Sequence, residues 1–147
     1  MLLAELIKEK DYIERSIYNL QDRIVDLSVG RDEEQKDISE YLAQLDELYK
    51  KHQKFSISIE RAKHNAVIKV NDARPSLADA IAIKESMEHK LQMFRGMMLG
   101  FTRLQREGIG ELRIDTDVLY DNMENIRLDI KTISGEIDYA LWNVEVS

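Results

Sequence analysis

Arg61, Lys63, His64, Asn65, Lys69 and Arg74 lie close together in a chain whose other cations are more dispersed. Four cations with an imidazole and a carboxamide among them are suited to holding an anion. The cations neutralise charge, and His64 and Asn65 add directional hydrogen bonds. A helix predicted to start just after Arg74 would turn its free N–H groups and positive dipole end towards the same place. A small phosphate-bearing, nucleotide-like ligand fits that chemistry. Trp142 is the candidate for stacking a base, with filling of the apolar core as its alternative role.

Catalysis and metal binding find less support. The histidines are His52, His64 and His89, and Glu60/His64 and Glu85/His89 are i,i+4 pairs. Di-metal sites in helical bundles use Glu-x-x-His at i,i+3 with two further carboxylates, so this spacing is off by one and suits ordinary pairing on a helix surface. There is no HExxH, Walker loop, GxGxxG or GxSxG motif. The absence of cysteine removes disulfides, thiolate zinc sites and a thiol nucleophile together. The expectation is a protein with neither catalytic activity nor cofactor.

Long helices must position these residues. Among 147 residues there are six glycines and a single proline, and 33% are charged, a composition of amphipathic helices rather than of a β-sandwich. Leu6, Ile13, Ile17, Leu20, Ile24 and Leu27 form a heptad seam on a first helix. Residues 28–34 read as a stop, a loop and the acidic first turn of a second helix. That helix runs from about Glu34 into the sixties with Ile38, Leu42, Leu45, Tyr49, His52, Ile59 and Ala66 on its stripe. The expected product is an antiparallel helical hairpin over about 2–66.

The periodicity fails over 67–75, where β-branched residues, a turn-forming Asn71-Asp72 and Pro75 predict a strand-like junction. A third helix follows over about 76–106, capped by Ser76 with Asp79 three residues on. Its stripe is Leu77, Ala80, Lys84, Met87, Leu91, Phe94, Met98 and Phe101. Met87, Met93, Met97 and Met98 gather around Phe94, as core filler or as a face for a partner helix or membrane. After a loop at 107–115, in which 111–115 alternates and is paired with 67–70 as a small ribbon, a fourth helix spans about 116–146. It is capped by Asp115 or Thr116, and Leu119, Met123, Ile126, Ile130, Ile133, Ile137, Ala140 and Val144 are its seam.

The fold class is therefore all-α: a single domain, an elongated antiparallel four-helix or coiled-coil bundle with a small β-ribbon at the junctions. Ile7, Tyr18 and Val25 lie off the first seam, and Leu128, Tyr139 and Trp142 off the fourth. They either widen one core or form a second packing surface, and the length of the helices favours a homo-oligomer.

Charge is distributed unevenly. Residues 1–49 hold 6 Lys and Arg against 13 Asp and Glu, residues 50–106 hold 12 against 5, and residues 107–147 hold 3 against 10. The acidic flanks can neutralise much of the basic middle through salt bridges. Their field also opposes an extended polyanion, which argues against nucleic acid as partner. No apolar run reaches membrane-spanning length, and the opening MLLAELIKEK carries Glu5 and Lys8 where a signal peptide needs an apolar core, so a cytoplasmic location is expected.

Three blocks, LLAELIKEKDYIERSIYNLQDRI, NAVIKVNDARPSLADAIAIKESM and LDIKTISGEIDYALWNVEV, resemble the septicolysin-like proteins, small helical proteins of bacteria and phages whose function is poorly settled. The resemblance rests on the surroundings of Asn65, on Arg74-x-Ser76-Leu77 followed by Ala80, and on Trp142-Asn143. Ala73 stands where that family usually has glycine, and Pro75 follows the arginine, so the turn is expected to differ. The resemblance implies an all-helical, oligomeric protein and transfers neither a catalytic residue nor a ligand. The family name implies pore formation. Three readings stand: an oligomeric binding protein that sequesters a nucleotide-like anion, comparable in role to phage counter-defence proteins; a structural coiled-coil or adaptor protein; and a membrane-active protein.

Overall fold

The computed structural model describes residues 1–29, 38–111 and 113–147. Four helices carry the chain: α1 (Leu3–Leu27), α2 (Ile38–Asn65), α3 (Leu77–Arg106) and α4 (Thr116–Leu141). The chain is all-α. By its contacts the chain divides into two compact units, one of Met1–Asn65 with Leu141–Ser147 and the other of Ala66–Ala140. The expected start of the second helix near Glu34, and the loop before it beyond residue 29, lie outside the described residues.

In the first unit α1 and α2 pack along their length as an antiparallel hairpin. Arg23 lies over the Tyr41 ring at 5.9 Å while Glu14 meets His52, so the two helices run in opposite directions. The α1 seam is as its spacing predicts, with Leu6, Ile13, Ile17 and Leu20 buried and Ile24 and Leu27 half-buried. The α2 seam is displaced in its first half. Tyr41 is buried and Leu45 and Leu48 half-buried, whereas Ile38, Leu42 and Tyr49 are exposed. Both sets satisfy a heptad. The set beginning at Tyr41 continues through His52, Phe55 and Ile59 in unbroken steps of four and three, and so keeps one face on α1.

The fourth helix ends at Leu141, five residues before the expected end. Beyond it the chain extends and pairs with residues 1–3. Leu3 N–H donates to the Val144 carbonyl at 2.9 Å and Val146 N–H to the Met1 carbonyl at 2.9 Å. The reason lies at the start of α1, whose first-turn N–H groups have no partner within the helix. Val144 satisfies one of these, and Glu5 Oε2 accepts the Leu2 N–H at 2.9 Å. Val144 is thus part of a short antiparallel pairing and not of the α4 seam.

The second unit opens with a ribbon over 66–77, continues into α3 and returns through α4. The α3 stripe is the expected one: Leu77, Ala80 and Leu91 are buried, and Lys84, Met87, Phe94, Met98 and Phe101 half-buried. On α4, Leu119, Met123, Ile126, Ile133, Ile137 and Ala140 are buried. Leu91, Met123 and Ile126 form a cluster against which Met87, Phe94, Met98 and Ile130 pack. The methionine group therefore divides: Met87 and Met98 join the core, and Met93 and Met97 are exposed.

Both ends of α3 are closed by local chemistry. Ser76 Oγ accepts the Asp79 N–H at 3.1 Å. At the other end Gly108, at φ 66°, donates to the Gln105 carbonyl while Ile109 donates to that of Leu104, a Schellman turn in which glycine supplies the left-handed residue. Asp115 Oδ1 caps α4 through the Asp117 N–H at 2.9 Å.

Candidate anion-binding residues

The periodicity break at 67–75 becomes a two-stranded ribbon closed on itself. Leu77 N–H donates to the Ala66 carbonyl at 2.8 Å, Ile68 N–H to that of Pro75 at 3.0 Å, and Val70 and Ala73 exchange both bonds at 2.9 and 3.0 Å. Asn71 turns the chain at φ 54°, a left-handed conformation that asparagine tolerates better than most residues. This corrects the expected pairing of 67–70 with 111–115. Val67 bridges to Ser76 and Val70 to Ala73, because a tight turn brings these partners together at a smaller entropic cost than a distant segment would. Leu112, within that distant segment, lies outside the described residues.

The register decides where the charges go. Pairs 66/77, 68/75 and 70/73 place Lys69 directly opposite Arg74. Side chains alternate across a ribbon, so Ile68 is buried on one face while Lys69 and Arg74 are exposed on the other. Residues directly opposite have Cβ atoms about 4.5–5.5 Å apart, and like charges there repel. Neither cation has an ion pair among the described residues. An anion on this face would turn the repulsion into joint attraction.

The expected contribution of the α3 N-terminus needs correction. Of its first-turn donors, the Leu77 N–H is taken by Ala66 and the Asp79 N–H by Ser76, and Asp79 adds a carboxylate to the same turn. The ribbon and the cap have already used two of the three first-turn donors that an anion would need.

Arg61, His64 and Asn65 belong to the first unit, at the C-terminal end of α2. With Ser56, Ile57 and Glu60 they line a shallow concavity of about 410 Å³. Arg61 makes no ion pair among the described residues, whereas Lys63 is held by Glu60 at 3.6 Å. Glu60 thus pairs with Lys63 rather than with His64. Lys63 and His64 in the last turn also oppose the negative end of the helix dipole, which gives them a structural reason to be there.

Trp142, in the first unit, is half-exposed and lies under Lys8, whose Nζ is 4.7 Å from the ring centroid. Its indole is therefore not core filling, and one face already holds a cation.

Two features escaped the sequence. His52 Nε2 and Glu14 Oε1 are 3.0 Å apart across the α1–α2 seam. That bond holds the Glu14 carboxyl below its ordinary pKa, the nearby Lys10 charge adding to the effect and partial desolvation opposing it. The second is a groove of about 490 Å³ between the same helices, lined by Ser16, Asn19, Arg23 and Gln44 over Leu20 and Leu48. Both require knowing which residues of α2 meet which residues of α1, and for the groove at Gln44 and Leu48 the displaced seam hid this. Among the described residues no group of His, Asp and Glu could hold a metal ion.

These helices, with one short ribbon between α2 and α3, define the class as an all-α protein. The chain is similar to a functionally unknown conserved protein from Corynebacterium diphtheriae, with a TM-score of 0.81 and 18% sequence identity over 100% of this chain and 99% of that one. At that identity the likeness concerns the fold. No family model matches the chain. No curated protein matches it either.

Proposed function

We propose that this is a non-catalytic binding protein that captures a small phosphate-bearing anion, nucleotide-like in size, on the exposed face of the 66–77 ribbon. The observation that carries this is the placement of Lys69 directly opposite Arg74 by the backbone pairing, with no counter-ion among the described residues. Two cations at that distance offer a phosphate one charge-assisted bond from a point charge and a forked pair from a guanidinium. Arg61, His64 and Asn65 line a shallow concavity of the first unit, together with Ile57 and Glu60. The role is capture, in the manner of proteins that sequester a signalling nucleotide. Among the described residues no helix is long and apolar enough to cross a membrane.

Isothermal titration with ADP, inorganic phosphate and adenosine tests this in the full chain. ADP is expected to bind and adenosine not to. Lys69→Ala with Arg74→Ala is expected to weaken ADP by about a hundredfold, two charge-assisted contacts at about 1.5 kcal/mol each. Binding unchanged in the double variant, or no binding of either phosphate-bearing compound, would reject the site.

A further inference from the structure

Along its second half α3 is apolar on two sides. One side is the core stripe of Met87, Leu91, Phe94, Met98 and Phe101. The other is a seam of Met93, Met97, Gly100 and Leu104, spaced four, three and four residues apart, on a flank of the helix roughly 110° round from that core at 100° per residue. Met93 is 56% exposed, Met97 38% and Leu104 37%. A Cβ added at Gly96 or Gly100 would meet nothing within 4 Å, so the seam borders a smooth, open surface on which a second helix can approach closely. An apolar seam about 17 Å long is what a helix shows when it is packed on both sides.

The charges indicate what covers it. Residues 89–106 contain no acid, and Lys90 and Arg103 stand at the borders of the seam. Neither has an ion pair among the described residues. Two α3 helices face to face would oppose cation to cation. The outward face of α4 is the complement: Asp117 and Asp121 lie there on one line with Leu128, which is 59% exposed. Neither aspartate forms an ion pair among the described residues.

We infer that α3 receives α4 of a second copy of this chain in antiparallel orientation, Met93, Met97 and Leu104 packing around Leu128 while Arg103, at the C-terminal end of the seam, meets Asp121. The contact is head-to-tail, so each copy offers one α3 seam and one α4 face. It does not depend on the anion site, since no residue of the ribbon takes part.

Sedimentation velocity of the full chain over a concentration series reads the assembly, and circular dichroism confirms that each variant is helical. The wild-type chain is expected to self-associate and Met97→Glu to abolish this. Arg103→Glu and Asp121→Lys are each expected to weaken it at least tenfold. Mixing the two reversed chains is expected to restore assembly, because the Glu at 103 of one then meets the Lys at 121 of the other. A wild-type chain that stays monomeric, an assembly indifferent to Met97→Glu, or reversed chains that fail to rescue each other would overturn the inference. Assembly that strengthens with salt would also overturn it, since that is the mark of like charges facing across the contact.

Discussion

At the scale of single residues, the Glu14–His52 bond ties a titratable group to stability. The Glu14 carboxyl is held below its ordinary value chiefly by His52, so the folded state favours its ionised form. The resulting stabilisation is fully present above the carboxyl's unfolded pKa and disappears as pH falls through its lowered folded value. Glu14→Gln is therefore expected to lower the urea midpoint at neutral pH, and the gap to wild type should close as the solution is acidified below the carboxylate range. Midpoints at intervals between pH 7 and pH 3 check this. A gap that widens towards acid would give the linkage the wrong sign. The pair was not legible from sequence, because periodicity puts His52 on the α2 stripe in either register without saying which residue of α1 it meets, and Glu14 lies beside the α1 seam.

At the scale of elements, heptad spacing was a sufficient guide wherever one apolar stripe had no rival. The seams of α1, α3 and α4 show this, as does the Ser76 cap. It failed on α2 because Tyr41-Leu42 and Leu48-Tyr49 put apolar side chains side by side, and periodicity cannot choose between adjacent residues. Packing chooses Tyr41, which is 8% exposed under Arg23, and leaves Leu42 at 47%. Tyr41→Ala is accordingly expected to cost about 3 kcal/mol and Leu42→Ala under about 1 kcal/mol in chemical denaturation. Equal costs would mean that the helix sits in the other register. The ribbon was legible as a break in helix but not in its pairing, which depends on the turn that Asn71 accommodates. For the same reason the cations at 61–74 were legible as a group, whereas the placement of Lys69 opposite Arg74 was not.

At the scale of the whole chain, charge and the two ends tell different stories. Among the described residues His52 meets Glu14 of α1, and Lys50, Lys63 and Lys84 each pair with a glutamate on their own helix, three or four residues away. Such exposed pairs contribute little, so much of the positive charge stays available to an anion or an acidic helix. The ends are held by backbone pairing instead. Leu3 has no exposed surface, and its N–H bonds to Val144, while Val146 bonds back to Met1. Removing residues 142–147 deletes both bonds and the indole beneath Lys8, and strips the first turn of α1 of a partner for its N–H groups. Two backbone bonds at about 1 kcal/mol each, with lost packing around Leu3, predict a destabilisation of about 2–3 kcal/mol. Hydrogen exchange should show that loss first at Leu3, with protection in the 66–77 ribbon unchanged at Ile68 and Val70. If Leu3 stays protected after the truncation, the first turn of α1 does not depend on the pairing, and the early end of α4 requires another cause.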